Sequence, residues 1–191
     1  GGPPAYPPQP EGIWWIRDAK SPVYTTSVGE ERYRRSLYTI WRRSYLHPSL
    51  ANFDAPDRIT CAVQRDRTNT PLQALTLLND PIYLEAAFGL ARRLASEPTL
   101  VATEQRIIRG FRLTTSRMPT NEESKLLLRL FRSRLDRFKA DSDSAYKLIE
   151  STRGGLAAGI SPIDSFAAAE LAAWFHVANV LLNLDETITK G

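Results

Sequence analysis

Cysteine, histidine and methionine are scarce in this sequence. It has one cysteine, two histidines and one methionine in 191 residues. A single cysteine excludes an intrachain disulfide, and the lack of a C-x-x-C-H pattern excludes a c-type haem attached to this chain. No group of Cys and His residues has the spacing of a zinc site. Cys61 is therefore expected to be a small buried hydrophobe and not a reactive thiol.

Long hydrophobic runs are also lacking. The longest apolar run, residues 166–182, is short for a membrane span. It is interrupted by the polar residues Glu170, His176 and Asn179. We expect a buried core helix, with one of these three side chains paired to an Arg or to a corner at Asn79 and Asp80. The sequence opens with GGPP and has no signal-peptide pattern, so the signal of an exported protein would lie upstream.

Charge of one sign is present in only small excess. The net charge is +4 and the pI is about 9.4. Arg supplies 20 of the 25 basic residues, and Arg favours paired, bidentate contacts. A basic chain is compatible with nucleic acid or with acidic polysaccharide. The excess is too small to argue for either ligand, and we expect no binding of nucleic acid.

The remaining pattern is helical. Apolar residues recur at helical spacing along most of the sequence, and no alternating strand pattern or internal repeat is present. The length suits one domain. We predict an all-α fold, an irregular bundle of about six helices, with an extended N-terminal strap or linker at residues 1–29 and a single helical domain at residues 30–191. Within that domain, the sequence from Glu30 to about Ser44 is predicted to be a helix.

The N-terminal strap is rich in proline and tryptophan. The run PPAYPPQP favours an extended polyproline conformation, laid over the domain surface or acting as a linker. Trp14 and Trp15 follow it. Two adjacent tryptophans in a loop anchor a strap to a core more often than they stack on a ligand, but an exposed tryptophan also suits a sugar ring.

Residues 52–87 concentrate turns, charges and two helix starts. Thr70 and Pro71 have the residue types of an N-cap and a first helical position. The Asp80–Pro81 pair repeats this arrangement, so one helix should end there and the next begin at Pro81. In the first of the two helices, the leucines at positions 72, 75 and 78 are predicted to form the apolar face.

Two interpretations fit the polar residues of this stretch. In the first, they cap helices or pair with Arg and so fix the loop geometry. In the second, they form a binding site in which Arg side chains face an anion or carboxylates face a cation. The candidate ligand-binding residues are Asp54, Asp57, Arg58, Arg65, Arg67, Asn69, Asn79, Asp80, Trp14 and Trp15. No metal site and no catalytic residue is assigned.

The run FDAPDR…C…R…R-TNTPLQAL…LNDP…EAA resembles the signature of a planctomycete domain of unknown function. The stretches GGPPAYPPQPEGIWW, RYRRSLYTIWRR and LLNLDETITK agree with it, so the resemblance covers nearly the whole chain. In that family the domain ends large exported proteins that often carry a planctomycete-type cytochrome c domain upstream. The resemblance implies an extracytoplasmic location, partner domains in the same full-length protein, and any c-type haem on a separate domain.

The leading hypothesis is a non-catalytic structural or interaction domain of such a protein. The alternative is part of an enzyme or binding site for extracellular polysaccharide, built from Asp54, Asp57, Arg58, Arg65 and Arg67, with or without His47. A carboxylate pair at the separation of glycoside hydrolysis would favour the alternative. His47 itself is expected to be a solvated or capping histidine, since no nucleophile or carboxylate accompanies it at a diagnostic spacing.

Overall fold

A computed structural model describes residues 2–13, 24–41, 45–56, 59, 61–64, 66–154 and 165–189, without the side chains of residues 165 and 166. The chain divides into two compact units, Gly1–Thr76 and Leu77–Gly191. The prediction of an all-α fold is confirmed, because the described residues contain six helices of seven or more residues and no strand. The division into a strap and a single helical domain stays a prediction.

The α-helices have sharply defined starts. The described part contains α1 (Pro48–Asn52), α2 (Pro71–Asn79), α3 (Pro81–Ser96), α4 (Thr103–Thr115), α5 (Asn121–Ala140), α6 (Ser142–Thr152), α7 (Ser165–Leu182) and α8 (Asp185–Ile188). Three of them begin with proline at the first helical position, where its missing N–H removes no helical hydrogen bond. Helix α5 begins with a capping box, in which Thr120 accepts from the Glu123 amide at 3.2 Å and Glu123 accepts from the Thr120 amide at 2.7 Å.

Helix α7 is the centre of the second unit. It packs against α3, α4, α5, α6 and α8. Trp174, Val177 and Leu181 are fully buried, and Trp174 packs on Phe131 of α5 with ring centroids 4.4 Å apart. A helix that is apolar all round belongs in a core, as the sequence predicted. Among the described residues no helix has the length and apolar character needed to cross a membrane.

The polar residues of α7 have partners within the second unit. Glu170 accepts from Arg106 at 3.1 Å and from the indole N–H of Trp174 at 3.3 Å, so the predicted Arg partner is present. The Asn179 side chain accepts from Asn183 at 3.3 Å. The ring of His176 stacks on Phe138 at 5.7 Å, and burial, with Arg134 and Arg137 nearby, lowers its pKa to about 4.

The first unit corrects the prediction of a helix from Glu30 to about Ser44. Its described residues form two short 3-10 helices, Gly29–Tyr33 and Ser36–Tyr38, with extended backbone at Arg34 between them. The reason lies in the strap. Ala5 forms a parallel bridge with Thr39, and that pairing requires extended backbone, which an α-helix does not offer. Residues 42–44 lie outside the described part.

Two burial predictions are wrong. On α2 the leucines at positions 72, 75 and 78 are exposed, by 59%, 57% and 49%, whereas Gln73 is 1% exposed. The buried side of α2 carries Gln73, with its hydrogen bonds, and Leu77 one turn later, and not the three leucines named above. Cys61 is also exposed, because it stands in a loop without regular structure and not in a helix.

Candidate functional site

The side chain of Gln73 is the centre of a polar cluster in the first unit. Its amide nitrogen donates to the carbonyl of Asn52 and to the hydroxyl of Thr68, both at 2.9 Å. Its amide oxygen accepts from the backbone N–H of Thr70 at 3.0 Å. Both amide hydrogens are therefore used, which is the condition for burying a glutamine without a large desolvation cost. We call the cluster formed by Asn52, Asp54, Thr68, Thr70, Gln73 and Thr76 the polar clamp.

The polar clamp starts from the local chemistry of the helix end. Thr70 accepts from the Gln73 amide at 3.2 Å through its hydroxyl. Together with the bond from the Thr70 amide to the Gln73 side chain, this is a capping box with Thr at the N-cap and Gln at the third helical position. The predicted role of Thr70 and Pro71 as a helix start is confirmed by the first residue of α2.

Asn52 joins the end of α1 to α2. Its side-chain nitrogen donates to the Thr76 hydroxyl at 2.7 Å and to the Leu72 carbonyl at 3.2 Å. The Thr76 hydroxyl in turn donates to the Leu72 carbonyl at 2.9 Å. The backbone and the side chain of Asn52 therefore both bind α2, which fixes the two helices relative to each other.

Two of the candidate carboxylates lie in residues 52–67, and the structure describes only one of them, that of Asp54. Its backbone has φ of +58°, a left-handed conformation that Asp tolerates better than most residues. Its carboxylate accepts from the amide of Thr68 at 2.8 Å and from the hydroxyl of Thr68 at 2.8 and 2.9 Å. The described contacts of Asp54 therefore close a loop and do not point to a ligand.

Asp80 and Asn79 form the corner between α2 and α3. The Asp80 carboxylate accepts from the amide of Ile82 at 3.0 Å, and Pro81 occupies the first helical position. This is an N-cap, as predicted for the start of α3. Asn79 is exposed, as are Arg67 and Asn69 in the preceding loop. The described contacts of Asp80 serve the helix start.

Five of the ten candidate residues lie outside the described part of the chain, namely Asp57, Arg58, Arg65, Trp14 and Trp15. The assignment of the ten residues to ligand binding stays a prediction. Within the described ranges, no three His, Cys, Asp or Glu side chains are placed together as metal ligands.

His47 is a buried capping histidine. Its Nδ1 accepts from the amide of Ser49 at 3.3 Å and its Nε2 lies 3.1 Å from the carbonyl of Pro8. An Nδ1 that accepts leaves the proton on Nε2, so Nε2 donates to Pro8. The expected capping role is confirmed by its place at the N-cap of α1. A crevice beside it, lined by residues that include Tyr24 and Tyr45, is too narrow to admit a water molecule.

Sequence reasoning undervalued the uncharged members of the polar clamp. The candidate site residues predicted from the sequence do not include Gln73, Thr68 or Thr76. The T-P-L-Q spacing of a capping box was a signal that could have identified Gln73. The bonds from Asn52 to Thr76 and from Gln73 to Asn52 join residues that are 24 and 21 apart in sequence, so no local pattern predicts them.

The comparisons with known proteins give a family without an activity. The family described as "PSD1: Protein of unknown function (DUF1553)" matches residues 1–131. No curated protein and no solved structure matches the chain.

Proposed function

The chain belongs to the PSD1 family of unknown function (DUF1553), and from that premise we propose that it is a non-catalytic structural and interaction domain of a larger protein. Its partners are the other domains of the same full-length protein. The setting proposed for that protein is an extracytoplasmic one in a planctomycete, with a cytochrome c domain elsewhere in the chain. The support for this setting is the sequence resemblance of the TNTPLQAL…LNDP stretch.

The observation that carries the proposal is the internal use of Gln73. It lies at the centre of the stretch that carries the resemblance and is 1% exposed. Its side-chain nitrogen donates to Asn52 and Thr68, and its side-chain oxygen accepts from Thr70. A buried side chain in this role stabilises the local fold and is not accessible to a substrate. The described carboxylates nearby, those of Asp54 and Asp80, accept from backbone or hydroxyl groups in the same way.

The competing function is a site for extracellular polysaccharide at the Asp and Arg residues of the same stretch. Its discriminating property is ligand-dependent stability, because a ligand that binds only the folded chain raises the melting temperature by mass action. The experiment is thermal melting of the chain with sulfated polysaccharides, neutral polysaccharides and divalent cations, each tested separately. The proposal expects no shift with any of them.

The variants make the experiment specific. Arg67→Ala removes an exposed candidate cation, and Asp54→Asn keeps the size of a clamp residue while removing its charge. The proposal expects Asp54→Asn to lower the melting temperature with or without ligand, and Arg67→Ala to leave it unchanged. If a polysaccharide raises the melting temperature of the wild type but not that of Arg67→Ala, the proposal is overturned in favour of polysaccharide binding.

A further inference from the structure

We now restrict the name strap to the proline-rich stretch at residues 3–10 (PPAYPPQP), whose backbone is bound by other residues of the first unit. Four consecutive strap carbonyls accept hydrogen bonds. The Ala5 carbonyl accepts from the Ile40 amide at 2.8 Å, Tyr6 from the Ser27 amide at 2.9 Å, Pro7 from the Tyr24 hydroxyl, and Pro8 from His47 Nε2 at 3.1 Å. A polyproline helix has no internal hydrogen bonds, so its carbonyls are open to such donors.

The two strap amides between the prolines are used as well. The Ala5 amide donates to the Tyr38 carbonyl at 2.7 Å, and the Tyr6 amide donates to the Ser27 hydroxyl at 3.0 Å. Ala5 thus bonds to Tyr38 and to Ile40, the residues before and after Thr39, as a residue of an added parallel strand does. Backbone bonds of this kind give affinity for an extended peptide of many sequences.

Two strap side chains add selectivity. Ala5 is 1% exposed, so a larger side chain at this position would displace packed atoms. The ring of Tyr6 meets the ring of Tyr24 edge to face, with centroids 5.3 Å apart and planes at 75°. An edge-to-face aromatic pair favours an aromatic ligand residue directly after the small one.

The residues that receive the strap combine these features in one surface. We call the surface formed by Tyr24, Ser27, Tyr38, Ile40 and His47 the strap-binding face. It offers hydroxyl, imidazole and backbone donors beside aromatic rings. This is the chemistry by which aromatic-lined grooves recognise proline-rich peptides.

We propose that the strap-binding face is a docking site for an extended proline-rich segment of another protein chain, with a small residue followed by an aromatic residue and two prolines. The chain's own strap is the ligand of this site in cis and blocks it until displaced. The inference goes beyond the proposed interaction role, because it adds a partner on a separate chain to the domains of the same full-length protein. The bonds used are mostly to backbone, so a segment of the same chemistry forms them equally well from a separate chain.

The experiment uses the full chain with Ala5→Lys, which disfavours docking of the strap without altering the strap-binding face. The probe is the peptide PPAYPPQP, and the matched control is the same peptide with lysine in place of alanine. Binding is measured by calorimetry and by chemical-shift changes of the Ile40 and Ser27 amides. The peptide is expected to bind the variant, and the wild-type chain at least about tenfold more weakly, because a tethered strap competes at millimolar effective concentration.

A folded Ala5→Lys chain that binds neither peptide at millimolar concentration would overturn the inference. So would equal binding of both peptides, since Ala5 would then have no part in recognition. A second measurement decides the matter if the variant does not fold. In the wild-type chain, the amides of Ala5, Tyr6 and Ile40 are expected to exchange with solvent through a local opening, faster than amides of the first unit that leave only on its unfolding.

Exchange of those three amides only on unfolding of the whole first unit would mean that the strap is an inseparable part of the fold and that the docking site does not exist. This result is distinguishable from failure of the proposed function. That function is tested by melting with polysaccharides and cations, on which peptide binding has no bearing.

Discussion

The side-chain nitrogen of Gln73 lies 2.9 Å from the hydroxyl oxygen of Thr68, and that hydroxyl also lies 2.8 Å from the carboxylate of Asp54. One hydroxyl therefore accepts from the amide and donates to the carboxylate, which uses its single proton fully. The arrangement transmits the position of Asp54 to α2 through Thr68. A change at any of the three residues is expected to affect the other two, because they belong to one network.

Replacing Gln73 by leucine tests the polar clamp. The variant leaves the Thr70 amide and the Asn52 carbonyl without their partner, and unsatisfied buried groups of this kind cost about 2–4 kcal/mol together. Urea denaturation followed by circular dichroism measures the loss. The matched control is Gln64→Leu, since Gln64 is exposed in the preceding loop and its replacement should change stability by less than about 0.5 kcal/mol. Equal effects of the two replacements would contradict a central role for Gln73.

Gly154→Ala tests a close approach at the end of α6. Gly154 has φ of +42°, and an added Cβ would lie 1.7 Å from Oε1 of the buried Glu85. Left-handed strain and overpacking together are expected to cost about 2–5 kcal/mol. Gly12→Ala shares the strain at φ of +82° but has open space around its Cβ, so about 1–2 kcal/mol is expected. Hydrogen exchange of the amides in each unit measures the loss of stability in the two variants. Similar losses in Gly154→Ala and Gly12→Ala would show that the contact with Glu85 is unimportant.

The ion pair between Arg106 and Glu170 gives a prediction for α7. Arg106→Met removes the bonds to Glu170 and to the Leu100 carbonyl and leaves a half-buried carboxylate, at a cost of about 1–3 kcal/mol. Adding Glu170→Met is expected to recover part of the loss, because no charge is then left unpaired. A double-mutant cycle by urea denaturation measures the coupling. A double variant as unstable as the sum of the two single ones would rule out a direct interaction.

Glu123 gives a pH dependence in acid. Arg117 is the main cause that lowers its pKa from 4.5 to about 2, followed by the Thr120 amide. Because the pKa is lower in the folded chain, the stabilisation is complete above pH 4.5 and is lost as the pH falls towards 2. Melting temperature is measured across this interval for the wild type and for Glu123→Gln. The variant should be less stable at neutral pH and should change less in acid, whereas Glu122→Gln, in the same helical turn, should follow the wild type.

Tyr24 gives a second pH dependence, in alkali. Burial, and then the neighbouring Tyr6, raises its pKa from 10.0 to about 12. A raised pKa of an acid means that its protonated form is favoured in the folded chain, so this stabilisation is complete below pH 10 and lost towards 12. Tyrosinate absorbance should show a late-titrating component that disappears in Tyr24→Phe. A titration in which Tyr24→Phe loses no late-titrating absorbance would contradict the burial that raises the pKa of Tyr24.

The sequence predicted well wherever local rules decide the structure. The proline starts of α2 and α3 and the apolar circumference of α7 are set by residues within one or two helical turns.

The predictions failed where a distant segment decides. The apolar residues after Glu30 have helical spacing, but the backbone there pairs with Ala5, more than thirty residues upstream in the case of Thr39. On α2 the leucine spacing suggested one face, and the bonds of Gln73 to Asn52 and Thr68 select another. In both cases a contact that is remote in sequence outweighs the intrinsic preference, which differs by only about 1 kcal/mol per residue.

The bond from Gln73 to the Asn52 carbonyl joins residues that are 21 apart in sequence. The bond closes a loop by joining its two ends. The entropic cost of closing a flexible loop rises only with the logarithm of the loop length, by about 0.6 kcal/mol for each doubling. Inserting residues between Asp54 and Thr68 is therefore expected to change the entropy of loop closure only slightly, as long as the bond from Gln73 to Asn52 is kept. The loop is thus a place where the chain can acquire new sequence without giving up its architecture.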